Sequence, residues 1–210
     1  NTAIGTNSLL TLNAGADGNN TAVGYFSGKL ITTGIYNTFI GASAGENLTD
    51  ADQNVAVGFN ALTTDTQGSK STAIGYQALT TQNFSTATDS RNTAVGYNAG
   101  ASVTTGTSNV LVGSLCGDSV TVGNSNVAVG DIALTAETKG DRNVAIGYNT
   151  LADQNFTSST DSYNTAVGYN AGGGISTGIQ NTILGGLAGD AMTDADYNVA
   201  LGYASLSGDT

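Results

Sequence analysis

Asn92-Thr-Ala-Val-Gly-Tyr-Asn-Ala-Gly100 is one occurrence of a phrase that returns along the whole chain. Its first five residues are Asn, then Thr or Val, usually Ala, then Val, Ile or Leu, and Gly. They open at positions 1, 20, 37, 54, 71, 92, 109, 126, 143, 164, 181 and 198, and Ser71 is the single departure from Asn. The spacings are 19, 17, 17, 17, 21, 17, 17, 17, 21, 17 and 17 residues. A fixed period of this length is the mark of a repeat architecture, in which each unit is stabilised by its neighbours. The units are numbered below as coils 1 to 12.

A second marker groups the coils. The residue eight places after each opening runs Leu9, Gly28, Gly45, Leu62, then Leu79, Gly100, Gly117, Leu134, then Leu151, Gly172, Gly189, Leu206. Bulky residues replace the central Ala at Phe39, Leu111 and Ile183, which lie 72 residues apart. The chain is therefore one continuous array, residues 1–210, of three four-coil blocks: 1–70, 71–142 and 143–210. Because it begins inside one repeat and stops inside another, it reads as a window from a longer array.

Within the phrase, the second and fourth residues lie two apart and share one face of a strand, while the central Ala faces the other way. β-Branched residues at those places suit a strand. The Gly that follows suits a bend or a close inter-coil contact. A small residue two or three places later, such as Ala61, Ala78, Ala99, Cys116, Ala133 or Ala188, predicts a second short inward-facing strand. Each coil then consists of two strands and a polar return. The expected fold is all-β, a parallel β-roll or β-solenoid of twelve coils. Stacked at the spacing of paired strands, twelve coils span roughly 50–55 Å. The repeated Asn predicts a ladder of side-chain amides bonded from coil to coil. The second residue shares its face with the apolar fourth, so its Thr is expected to point inward, which disfavours an ice-binding array. The Ala face is too small-residued for an isolated core. It is packed either by another molecule or by the second strand of its own coil.

The units Asn20-Thr-Ala-Val-Gly24, Asn92-Thr-Ala-Val-Gly-Tyr-Asn-Ala-Gly100 and Asn143-Val-Ala-Ile-Gly147 resemble the head repeats of trimeric autotransporter adhesins, the YadA-like left-handed parallel β-roll. They are similar also to repeats of phage tail fibres. The resemblance covers essentially the whole chain. It implies a left-handed homotrimer with an apolar seam, or an end-to-end fibre, placed outside the cell and binding a carbohydrate or protein receptor on a host surface. The 17-residue coil is longer than that family's usual repeat.

Composition agrees with a fibrous rather than a globular chain: 30 Gly, no Pro, no Trp and no His in 210 residues. The formal net charge of -11 disfavours nucleic acid and anionic membrane surfaces, and no apolar run is long enough to insert in a membrane. Without His, and with Cys116 at a small-residue core position, nucleophilic triads cannot be assembled. Paired carboxylates, Asp50 with Asp52 or Asp194 with Asp196, remain as an option for glycoside cleavage. Neither inserted loops nor Trp are present to build a sugar cleft. The same pairs, with Asp89 and Asp161, are also the oxygen donors available to calcium, although a solvated turn explains them equally. No enzyme activity, cofactor or metal site is expected.

Two surface features stand out. Sequons occur at Asn19, Asn47, Asn83 and Asn155, the last two in equivalent long spacers beside Phe84 and Phe156. They mark attachment points for glycan, or else the Phe simply folds the spacer back onto the rod. Tyr25, Tyr76, Tyr97, Tyr148, Tyr169 and Tyr203, with Phe59, follow the unit Gly. They form either an aromatic strip for carbohydrate or a cover for the corner of each coil.

Overall fold

The computed structural model describes residues 1–13 and 17–208. Each unit phrase forms a three-residue strand, and the twelve strands make one parallel sheet in sequence order. The register is strict. Thr93, Ala94 and Val95 pair with Val110, Leu111 and Val112, and these pair in turn with Val127, Ala128 and Val129. The chain is thus a parallel β-solenoid, with each coil hydrogen-bonded to the coils above and below. Short strands suffice because the neighbour, not the strand's own length, supplies the partners for the backbone.

The unit Gly ends each strand at φ between 116° and 144°. A Cβ at Gly96 would lie 2.2 Å from the carbonyl oxygen of Gly113 in the next coil, so both conformation and close approach demand glycine. Beyond it, the sixth and eighth residues after the opening both take left-handed φ, between 47° and 60°. The chain therefore turns sharply twice where a second strand is expected. That second strand is not formed. The small residues Ala61, Ala78, Ala99, Cys116, Ala133 and Ala188 are buried as expected, but from a run of turns. Among the described residues, additional strands occur only as two-residue pairs, Gly68–Ser69 with Thr88–Asp89 and Gly140–Asp141 with Thr160–Asp161.

The direction of the strand faces also corrects the sequence expectation. The central residues Ala22, Phe39, Ala56, Ala73, Ala94, Leu111, Ala128, Ala145 and Ala166 are fully buried inside the single chain. The Thr/Val and Val/Ile/Leu positions face outward, with Ile40, Ile74, Ile146 and Leu184 exposed. The interior of so narrow a coil is crossed by the opposite wall, which leaves room for Ala and pushes the β-branched residues out. The Ala face is therefore closed within the chain and is not a seam between molecules.

The three-block pattern is a packing solution. A Cβ at Gly28 would lie 2.6 Å from the ring of Phe39, and one at Gly45 only 2.5 Å from it. Leu111 occupies the equivalent space over Gly100 and Gly117, and Ile183 that over Gly172 and Gly189. The coils bearing these glycines are filled by Ile31, Leu48, Val103, Val120, Ile175 and Met192, eleven residues after the opening. Where Leu62, Leu79, Leu134 and Leu151 fill the centre instead, that place carries Asp65, Gln82, Glu137 and Gln154, all fully buried.

The Asn ladder forms as the repeat predicts. Asn37 donates its backbone N–H to Asn20 Oδ1 at 2.8 Å and its Nδ2 to the carbonyl of Ala51 at 2.8 Å, and Asn54 N in turn bonds Asn37 Oδ1 at 2.8 Å. The pattern recurs from Asn92 to Asn109 and Asn126. At Ser71 the shorter hydroxyl meets Ser90 Oγ at 2.6 Å, and Gln82 takes over the contact to Asn92. These amides satisfy buried backbone groups that a 17-residue coil leaves open.

Candidate functional site

The aromatic column is the most regular feature of the surface. Tyr25, Phe59, Tyr76, Tyr97, Tyr148, Tyr169 and Tyr203 are all exposed at the corner that follows the unit Gly. In-register coils place Phe59, Tyr76 and Tyr97 in one stack, with centroids 5.5 and 5.4 Å apart and planes within 20°. Tyr148 and Tyr169 stack likewise at 5.4 Å and 9°. The rings lie face to face along the rod, so inside a stack each covers its neighbour. Tyr25 departs from this and stacks on Phe26 at 3.8 Å. The rings thus pack against one another at the corner while remaining exposed to solvent.

The column is interrupted at Thr6, Ala42, Ser114, Asp131 and Gly186, and Ala42, Ser114 and Gly186 lie in the same coils that carry Phe39, Leu111 and Ile183 inside. Phe59 stands beside Ala42, Tyr97 beside Ser114 and Tyr169 beside Gly186. Beyond the small residue stand Tyr25, Asp131 and Tyr203 respectively.

Beside the column lies the outward sheet face, two rows wide and built only from Thr, Val, Ile and Leu over all twelve coils. Its other edge carries most of the chain's few cations. Lys70 and Arg91 both hold Asp89, at 2.6 and 2.8 Å, and Arg142 pairs with Asp161 while lying 5.5 Å from the Tyr163 ring. Lys70 first, then Arg91, hold the Asp89 carboxyl below the usual carboxylate range. Asp89 and Asp161 are thus tied to cations.

The other carboxylate pairs are parts of the scaffold. Asp52 Oδ1 accepts the N–H of Ile35 at 2.8 Å, and Asp196 Oδ1 accepts that of Ile179 at 2.8 Å, each closing a gap to the preceding coil. Asp50 and Asp194 take only long bonds from the adjacent Thr49 and Thr193. Among the described residues there is no pocket and no group of three metal-ligating side chains.

The sequence reading passed over the buried carboxylates. Asp65 accepts bonds from Gly68 N and Phe84 N, both at 3.0 Å, and from Gln82 Nε2 at 2.6 Å. Glu137 repeats the arrangement with Gly140 N, Phe156 N and Gln154 Nε2 at 2.6, 3.3 and 2.8 Å. Their signal was present: both occupy the place that holds Ile31 and Leu48 in neighbouring coils. They anchor the 21-residue coils, and with them Phe84 and Phe156, which are buried. The spacers are therefore folded back onto the rod. Asn83 and Asn155 remain exposed there, their Oδ1 atoms accepting from Thr66 at 3.2 Å and Thr138 at 2.8 Å. Asn19 is exposed and Asn47 half-buried.

Comparison with protein-family models, with curated proteins and with solved structures gives no match to this chain.

Proposed function

We propose that the chain is a rigid segment of an extracellular attachment fibre, a stalk or head piece of a phage tail fibre or bacterial surface adhesin. It works by reach and repeated display, without catalysis. The observation that supports this best is the strict register of the coils, which turns single surface residues into continuous rows along the rod. Rows of identical groups favour weak contacts made many times over, which sum to avidity.

The fibre is a homotrimer, and its seam is the outward Thr/Val and Val/Ile/Leu face. That face carries no charge in a chain of net charge -11, so copies can meet there without opposing like charges. The mass of the segment in sedimentation tests this. A trimer that Val95→Lys with Val129→Lys converts to monomer supports the seam, and a wild-type monomer removes it. Adhesion of the trimer to bacterial cells, measured against buffer and against the monomeric variant, tests attachment itself.

A purely structural filament is the second reading, favoured by the exposure of Asn83 and Asn155 in equivalent folded spacers. Hexose mass on both residues, with no adhesion, would select it.

A further inference from the structure

The two edges of the outward sheet face are complementary to one another. We propose that in the trimer the residues just before the ladder Asn of one copy lie against the aromatic column of the next, coil against matching coil, so that Lys70 meets Tyr76, Arg91 meets Tyr97 and Arg142 meets Tyr148 of the neighbouring copy. This rests on the trimeric reading and gives the seam its borders and its direction.

The residue immediately before the opening Asn has a left-handed φ, between 47° and 65°, at all eleven coils from Asn19 to Tyr197. Glycine would relieve that conformation and occurs at none of them. A side chain is therefore kept at this corner in every coil, and Tyr36, Tyr163 and Tyr197 stand exposed there as the tyrosines of the column do on the opposite edge. Three of the chain's five cations lie in this row, and none of its sixteen acidic residues. The column has no cation.

A closed ring of copies about the rod axis has no rise between neighbours, and each copy offers one edge to the next. With the sheet faces turned inward, the cation row of one copy and the column of the next meet at equal height. The pairs then agree in chemistry. A Tyr hydroxyl accepts a hydrogen bond, and Lys and Arg carry donors beyond those that hold Asp89 and Asp161. The one ring of the column without a hydroxyl, Phe59, stands opposite the neutral Gln53. The column's one acid, Asp131, stands opposite Ser125, a donor. Tyr36 stands opposite Ala42 and Gln180 opposite Gly186, large against small. Asp89 already fixes Lys70 at 2.6 Å and Arg91 at 2.8 Å, which limits the freedom lost on assembly. A two-fold axis across the rod would instead set the cation row against itself and forgo these contacts.

The test places thiols on both edges of one coil. Ser108 and Ser114 are the facing pair of coil 7, and Ser108→Cys with Ser114→Cys changes neither charge nor stacking, while Cys116 is buried. The double variant, each single variant and wild type are treated with a short bis-maleimide and run on a denaturing gel, with sedimentation giving the assembly in solution. Covalent dimers and trimers from the double variant alone are expected. A trimer in sedimentation that forms no such links, or that is linked in a single variant, overturns the edge pairing while the trimer stands. A wild-type monomer removes the trimeric reading itself and the pairing with it. In a second variant, Tyr76→Phe, Tyr97→Phe and Tyr148→Phe together keep the stacks and remove only hydroxyls. The dissociation constant of the trimer should rise at least tenfold, and an unchanged constant overturns the proposed contacts.

Discussion

The carboxylate of Asp65 and the side-chain amide of Gln82 meet at 2.6 Å inside the solenoid, one coil apart, where neighbouring coils place Ile31 and Leu48. The buried carboxyl group is satisfied by two backbone N–H groups and the amide that surround it. Asp65→Ala orphans all three donors and is expected to cost about 2–4 kcal/mol. Glu137→Ala, its counterpart in the next block, should cost a similar amount. Hydrogen exchange should quicken at Gly68 and Phe84 in the first variant and at Gly140 and Phe156 in the second, with the other pair unchanged, since repeats communicate chiefly with their neighbours.

Phe39 and Gly45 are a matched pair. Phe39→Ala alone opens a cavity and should cost about 3–5 kcal/mol in urea denaturation. Gly45→Leu alone drives a side chain into the Phe39 ring and should also destabilise. Combined, they place Ala and Leu where the next coil has Ala56 and Leu62, with Leu48 standing where that coil carries Asp65. The double variant should therefore recover at least half of the summed loss. Simple additivity would contradict the packing rule.

Asn109 both donates and accepts in the ladder. Its Nδ2 bonds the Gly123 carbonyl at 2.8 Å, and its Oδ1 takes the N–H of Asn126 at 3.0 Å. Asn109→Asp sets an ionised oxygen against that carbonyl, a site that favours the protonated acid. The folded-state pKa of the new Asp is therefore raised above the unfolded value of about 3.9. The penalty is full at neutral pH, fades as pH falls through the raised value, and is smallest below the unfolded one. Denaturation midpoints of variant and wild type should converge on acidification. A constant gap would show that charge plays no part.

Cys116 lies in the core with its thiol directed at the Ala128 carbonyl, 3.2 Å away. Burial pushes the thiol up to about 12. In the folded chain it stays protonated where an unfolded one, near 8.5, has ionised. Its contribution is therefore intact below about pH 8.5 and is lost as pH rises from there towards 12. A thiol-specific reagent at pH 8 should modify Cys116 only as fast as the chain opens, and instantly in denaturant. Rapid labelling of the native chain would refute this.

Much of this was legible in the sequence, because a repeat states its rule twelve times. The period, the strand phrase and the Asn ladder followed from the repeat, while the burial of Phe84 and Phe156 was one of two readings of the long spacers. The direction of the strand faces did not. Alternation distinguishes two faces without saying which is inward, and the usual preference for Val and Ile inside fails in a coil so narrow that Ala fits the interior better. The missing second strand has a related cause: left-handed φ at Leu62 or Leu79 is costly for a branched residue and is not foreseen from sequence. Asp65 and Glu137 were hidden because acidic residues read as surface until the register places them beside Ile31.

The matching of Phe39 to Gly28 and Gly45 also governs how such a gene can grow. Loss of the coil that carries Gly28 would bring Phe39 against Leu9, whereas gain or loss of 72 residues keeps every layer in phase. The length of the solenoid is thus inherited in quanta of about 19 Å, and unequal recombination between blocks can lengthen or shorten the molecule without passing through a broken form.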